Sequence, residues 1–113
     1  GILGEQLAVD FLIKKGYKIL DRNFRFKKLE IDIICEFEDT LIVVEVKTRN
    51  SDYLTDPLEL VSRSKQKGIV KTADQYIQEH EIDLETRFDL IVIVLNEKQK
   101  DIRHIVDAFY PTL

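Results

Sequence analysis

The stretch that most constrains this chain runs from Leu29 to Arg49, LEIDIICEFEDTLIVVEVKTR. Two runs rich in Ile, Val and Leu flank Glu38-Asp39, which is the composition of two buried strands joined by a turn. Asp32, Glu45 and Lys47 nevertheless sit inside those runs. Burying a charge is costly unless it is paired or holds a metal. Strand side chains alternate between faces, so Glu45 and Lys47 point the same way. With Glu38-Asp39 as a two-residue loop, Phe37 faces Thr40. Counting outward from there puts Asp32 opposite Glu45, with Cβ atoms about 5 Å apart. Glu-Asp is not a preferred sequence for such a loop, and a bulge there would change the local pairing.

Two carboxylates held together in an apolar sheet repel each other unless a cation joins them. An all-oxygen donor set suits Mg²⁺ or Mn²⁺, and a site with few protein ligands leaves positions for water and a phosphate oxygen. Lys47 beside them could position or help deprotonate an attacking water, or stabilise charge on a phosphorane-like transition state. That is the equipment for metal-assisted phosphodiester hydrolysis. The same spacing also fits an ordinary salt bridge, with Lys47 neutralising Glu45 and Asp32 facing solvent. Spacing alone leaves both readings open.

The flanking sequence supplies the rest of a domain. Residues 2 to 15 have helical periodicity: Gln6, Asp10 and Lys14 fall on one side, and Ala8, Val9, Phe11, Leu12 and Ile13 fill the other. Glu5 projects near the middle of the apolar sector, where its bland role is a first-turn acid favoured by the helix dipole. Gly16 stops the helix. Residues 17 to 26 read as a strand with a bend at Asp21-Arg22-Asn23, followed by strands at about 30–36 and 40–48. NSDYLTDP is a polar loop. A second helix is expected from Asp56 as N-cap, with Pro57 first, Glu59 in the capping-box place, and a stripe of Val61, Ile69, Ala73, Tyr76 and Ile77. Lys65 lies on that stripe, and Gly68 marks a break or a close contact. Residues 87 to 95 form a strand expected to be buried on both faces, and IRHIVDAF alternates like a last strand. The order is αβββαββ, an α/β single domain over residues 1–113 with a mixed sheet and helices packed on it. The helix between the third and fourth strands makes those two parallel.

At 113 residues the chain is long enough for one core without staples. Its one cysteine, Cys35, excludes an intrachain disulfide, and no run is long enough to cross a bilayer. These features lead to an expectation of a cytoplasmic protein with no membrane partner. The net charge of −4 argues mildly against nucleic acid. The charge is uneven, however: residues 1–71 hold 13 Lys/Arg against 12 Asp/Glu, and residues 72–113 hold 4 against 9. A local basic surface can bind phosphates on an acidic protein. Cys35 is expected in the core, His80 and His104 in surface or structural roles, and Arg87 and Asp89 in a pair. No Gly-rich phosphate loop, zinc spacing or Ser-His-Asp arrangement is present.

The stretches GEQLAVDFLIKKGYKILDRNFR, EIDII, VVEVKTR, PLELVSRSKQKGI, ADQYI and RFDLIVI span nearly the whole chain in order. Together they resemble the YraN-like family, bacterial proteins grouped with the PD-(D/E)XK nuclease superfamily. The resemblance implies a restriction-endonuclease-like α/β core. It makes Asp32 and Glu45 the metal ligands for Mg²⁺ or Mn²⁺, Lys47 the catalytic lysine, and Glu5 an additional acid at the site. Lys65, Arg49 and Arg25 become candidate contacts to a substrate backbone. DNA is the implied partner, selected by structure rather than by base sequence. Branched DNA enters by analogy with archaeal Holliday-junction resolvases, which share the size and a similar early Glu. A homodimer is compatible with one site cutting one strand. Two features depart from the usual pattern: Leu29 stands where the family usually has Gly, and Ile31 replaces the superfamily's proline. A non-cleaving nucleic-acid-binding module is the alternative, and a structural or partner-binding protein the third reading; fold membership alone does not prove cleavage.

Overall fold

The structure, a computed structural model, describes residues 2–51 and 56–111. Helix α1 (Ile2–Lys14) is followed by strands β1 (Lys18–Phe26), β2 (Leu29–Phe37) and β3 (Thr40–Arg49). A 3₁₀ turn (Pro57–Leu60) and helix α2 (Arg63–Glu79) then lead to β4 (Glu85–Leu95) and β5 (Lys100–Phe109). The five strands form one sheet in the order β1-β2-β3-β4-β5. Strands β3 and β4, joined through α2, are parallel, and every other neighbouring pair is antiparallel. This is the expected αβββαββ order and mixed sheet. Among the described residues no helix is long and apolar enough to cross a membrane.

The two helices lie on opposite faces, as the period of two along the strands requires. On one face Leu41, Val43, Leu90 and Val92 pack with Ile69, Ala73 and Tyr76 of α2. On the other, Ile42, Val44, Ile91 and Ile93 pack with Ala8, Val9 and Leu12 of α1. Strand β4 is buried on both faces from Phe88 to Val94, as expected of a strand with parallel and antiparallel neighbours and both faces covered. Each fully buried aliphatic side chain there contributes about 1.5–3 kcal/mol. Helix α1 approaches β3 very closely, because Gly4 rests on Thr48 where any Cβ would collide.

Glu38 (φ 49°) and Asp39 (φ 57°) both adopt left-handed backbone, forming a primed two-residue turn despite carrying neither Asn nor Gly. The pairing from Phe37↔Thr40 to Ile33↔Val44 is therefore the counted register, with no bulge at the turn. The second helix differs from expectation. Asp56 does not cap it: the Asp56 carbonyl accepts from Glu59 N–H in the 3₁₀ turn. Helix α2 begins only at Arg63, where the Ser62 hydroxyl accepts from Lys65 N–H at 3.1 Å. Ser62 followed by two residues and a lysine is half a capping box, so the acid-bearing Asp56 signal outweighed it in the sequence. Residues 52–55 of the polar loop over residues 50–57 lie outside the described residues. Ile13, expected on the packed side of α1, is 55% exposed.

Candidate functional site

Strands β1 and β2 both turn over at one level of the sheet. Ile33 packs on the α1 face and Ile31 on the α2 face, although they are two residues apart. Their β1 partners, Arg22 and Phe24, flank Asn23, whose φ of 56° breaks the alternation. Residues on both strands change face across Asn23 and Asp32. The ladder between β2 and β3 also ends here, at Ile33↔Val44, while β3 continues alongside β4. Asp32 thus stands at a fork. Its Oδ2 accepts from Val46 N–H at 2.8 Å, an amide the parted β2 no longer satisfies.

Glu45 is 4% exposed on the α2 face of the sheet, in line with Leu41 and Val43. Its carboxyl shares a hydrogen bond with Asp32. Burial, then that hydrogen bond and the Asp32 charge, push its pKa upward. Two ammonium groups act in the opposite direction: Lys65 Nζ lies 3.5 Å and Lys47 Nζ 3.9 Å from Glu45 Oε2. The salt bridge and the carboxylate pair, alternatives in the sequence, are present together. Lys65 reaches Glu45 because the Ser62 cap sets it in the first turn of α2.

A pocket of about 370 Å³ opens on the α1 side of the fork, lined by Glu5, Arg22, Asn23, Asp32 and Thr48. Glu5 projects inward as its helical angle requires. Its Oε1 accepts from Asn23 Nδ2 at 2.8 Å and from Arg22 Nη2 at 3.4 Å. Arg22 Nη1 also donates to Gln6 Oε1 at 3.1 Å. Of the residues singled out from the sequence, Asp32, Glu45, Lys47 and Lys65 form one contacting group, and Glu5 shares the pocket with Asp32. Two do not join them. Arg25 pairs with Glu30 at 2.9 Å and is mostly exposed. Arg49 is exposed at the end of β3, outside the pocket lining. Arg22 was not among the site residues expected from the sequence; its signals there were the bend at Asp21-Arg22-Asn23 and its place in the basic run of Arg22, Arg25, Lys27 and Lys28.

The donor set at the fork is two carboxylates. Among the described residues no three of His, Cys, Asp and Glu gather into a fuller cage. Two carboxylates fit a hard divalent cation that keeps several waters, since Mg²⁺ is commonly held by one or two carboxylates plus substrate phosphate.

The family model described as uncharacterised protein family UPF0102 matches residues 4–93. This chain belongs to the UPF0102 family, the YraN-like group. A UPF0102 protein of Flavobacterium psychrophilum is 46% identical over 110 residues, covering 97% of this chain and 92% of that relative. One of Alkaliphilus oremlandii is 46% identical over 112 residues, covering 96% of each. One of Parabacteroides distasonis is 45% identical over 107 residues, covering 95% of this chain and 88% of that relative. The matched residues 4–93 include every residue of the fork.

The remaining polar residues of note are structural. Asp89, fully buried, accepts from Arg87 Nε and Nη2, from His104 Nε2 at 2.7 Å and from Asp107 N–H at 2.9 Å. Arg87 Nη2 also donates to the Tyr17 hydroxyl. Lys15 Nζ lies 2.8 Å from His104 Nδ1; a charged lysine must donate there, so His104 carries its proton on Nε2 toward Asp89. The expected Arg87–Asp89 pair and the structural role of His104 are both present. Burial pushes the Cys35 thiol up to about 12, consistent with a core residue rather than a nucleophile.

Proposed function

We propose that this chain is a divalent-metal-dependent nuclease that hydrolyses DNA phosphodiester bonds in the cytoplasm and selects its substrate by structure. The observation that carries this reading is the contact between Asp32 and Glu45 at the fork of β2 and β3, with two lysine ammonium groups on the same carboxylate. An ordinary structural salt bridge needs one cation for one anion. It does not need a second carboxylate pressed against the first where that first one is already penalised by burial.

Bound Mg²⁺ or Mn²⁺ would supply a Lewis acid for the phosphate oxygen and lower the pKa of a coordinated water. Asp32 and Glu45 would hold it. The Asp32–Val46 hydrogen bond fixes the first carboxylate to β3, so the pair is positioned by backbone rather than by flexible side chains. Lys47, two residues from Glu45 on the same strand face, can hold the attacking water or donate to the phosphate as negative charge accumulates. Lys65 can reach a substrate phosphate from the first turn of α2. Glu5 borders the pocket as the additional acid. Backbone shape would select the DNA, branched substrates included, and a homodimer would present two such sites.

A second reading has an observation in its favour. Among the described residues only two acids meet at the fork, and the Glu5 carboxylate is already engaged by Asn23 and Arg22. A nucleic-acid-binding module that keeps the fold without cleaving would look the same. A cleavage screen with Mg²⁺ and Mn²⁺ against single-stranded, duplex, flap and four-way DNA separates the two. Cleavage by the wild type that is lost in Asp32→Asn and in Lys47→Ala supports the nuclease. Metal-independent binding with no cleavage of any substrate supports the module.

A further inference from the structure

We propose that Arg22 binds a backbone phosphate beside the reacting one, and that Glu5 and Gln6 are the residues that position it. The proposal rests on the nuclease reading and names a substrate contact of the same site. Four observations support it. Arg22 and Asp32 line the same pocket, so a cation shares an open cavity with the carboxylate fork. Its guanidinium is held by α1 through both terminal nitrogens, Nη1 on Gln6 and Nη2 on Glu5. Those two contacts use two of the five N–H donors of a guanidinium, which leaves donors for the fork-shaped recognition that suits a phosphate. Arg22 lies opposite Ile33, one pairing step before β2 turns over, so its side chain is on the α1 face while Lys47 and Lys65 reach Glu45 on the α2 face. A strand of DNA crossing the fork would thus meet positive charge on both sides of Asp32.

This arrangement gives Glu5 a role that its helical position alone does not explain. A half-exposed arginine samples many rotamers. Tying it to α1 holds the guanidinium at the pocket wall, and α1 is itself locked to β3 by the contact of Gly4 with Thr48. Asn23 completes the arrangement by donating to the same Glu5 oxygen from the left-handed position that turns β1 over.

Metal-free binding tests it, because binding in EDTA reads the phosphate contact without the cation. Wild type, Arg22→Gln, Arg22→Lys and Glu5→Leu are titrated with labelled duplex and four-way DNA across a salt series, and their folding is checked by thermal melts. Arg22→Gln should weaken binding several-fold, evenly across sequences, and make the slope of log K against log salt shallower by about one. Arg22→Lys should restore the slope but not the full affinity, because a point charge replaces a planar fork. Glu5→Leu should weaken binding as well, and adding it to Arg22→Gln should cost nothing further, a non-additivity that a purely structural Glu5 would not show. Wild-type affinity and slope in Arg22→Gln would overturn the assignment. Wild type that binds DNA in EDTA but never cleaves would remove the nuclease reading and leave Arg22 as a phosphate contact. Wild type that binds no DNA at any salt would overturn both.

Discussion

Glu45 is a carboxylate at a position otherwise suited to valine, and its surroundings set two testable quantities. Its pKa stands at about 8, raised first by burial and then by its hydrogen bond and charge interaction with Asp32. Between the ordinary 4.5 and that value the folded protein holds a proton that the unfolded chain has released. Stability contributed by this group therefore falls as pH rises through that window and is level above it. Melting temperatures from pH 5 to 9 should show the decline in wild type and a flatter profile in Glu45→Gln; identical profiles would remove Glu45 as its source. The neighbouring substitution separates strain from structure. Asp32→Asn keeps an acceptor oxygen for Val46 N–H and, at pH 9 where Glu45 is ionised, removes one of two opposed charges. Apo stability should be unchanged or higher, by about 1 kcal/mol. Mg²⁺ or Mn²⁺ at roughly ten times its dissociation constant should add about 1.4 kcal/mol to the wild type, a melting shift of a few degrees, and little to Asp32→Asn. A mutant several degrees less stable, with a wild type indifferent to both metals, would make the pair a structural element. For cleavage itself, alanine at Asp32, Glu45 or Lys47 should each remove nearly all activity, and double mutants should be little worse than singles, as for groups that act as one unit.

At the scale of elements, α2 is placed by what it lacks. Gly68 leaves a gap that the Leu29 side chain fills so closely that a Cβ there would collide with it. Leu29, at the start of β2, is thus received by a helix that comes close enough to hold its side chain. Gly68→Ala should cost about 1–3 kcal/mol through overpacking. In a Leu29→Ala background the same change should become neutral or stabilising, because alanine is about 1 kcal/mol the better helix former once the clash is gone. Chemical denaturation of the four proteins gives the coupling directly, and an equal cost in both backgrounds would mean the helix, not Leu29, resists the change. The N-terminus of α2 depends on Ser62. Ser62→Ala should cost about 1 kcal/mol and loosen the turn that holds Lys65 near Glu45.

At the scale of the whole molecule, the cluster around Asp89 joins β4, β5 and the end of α1, one strand over from Val44 at the fork. Burial alone would raise the Asp89 carboxyl, but hydrogen bonds from His104, Arg87 and the Asp107 amide outweigh it and hold it below the ordinary range. Its stabilisation is therefore present above the ordinary carboxylate value and lost as pH falls through the folded one, the opposite sense to Glu45. Asp89→Asn should cost about 3–5 kcal/mol at neutral pH by leaving Arg87 without its buried partner, and should flatten the acid limb. Denaturant melts at pH 7 and below pH 4 check both parts. The sequence by itself determined the element order, the parallel β3–β4 pair and the hairpin register, because a period of two and a turn of known length are local properties; it left the meeting of Asp32 with Glu45 open beside an ordinary salt bridge. Helical angle put Glu5 and Lys65 on inward faces, and only the family resemblance made them candidate site residues. Only the tertiary structure decided where α2 begins, since a cap is chosen by which carbonyls and amides the packed helix leaves open. The same holds for Arg22 and against Arg25 as the pocket arginine: a single left-handed residue, Asn23, reverses which face each strand position looks toward, and alternation counted along the chain cannot register that reversal.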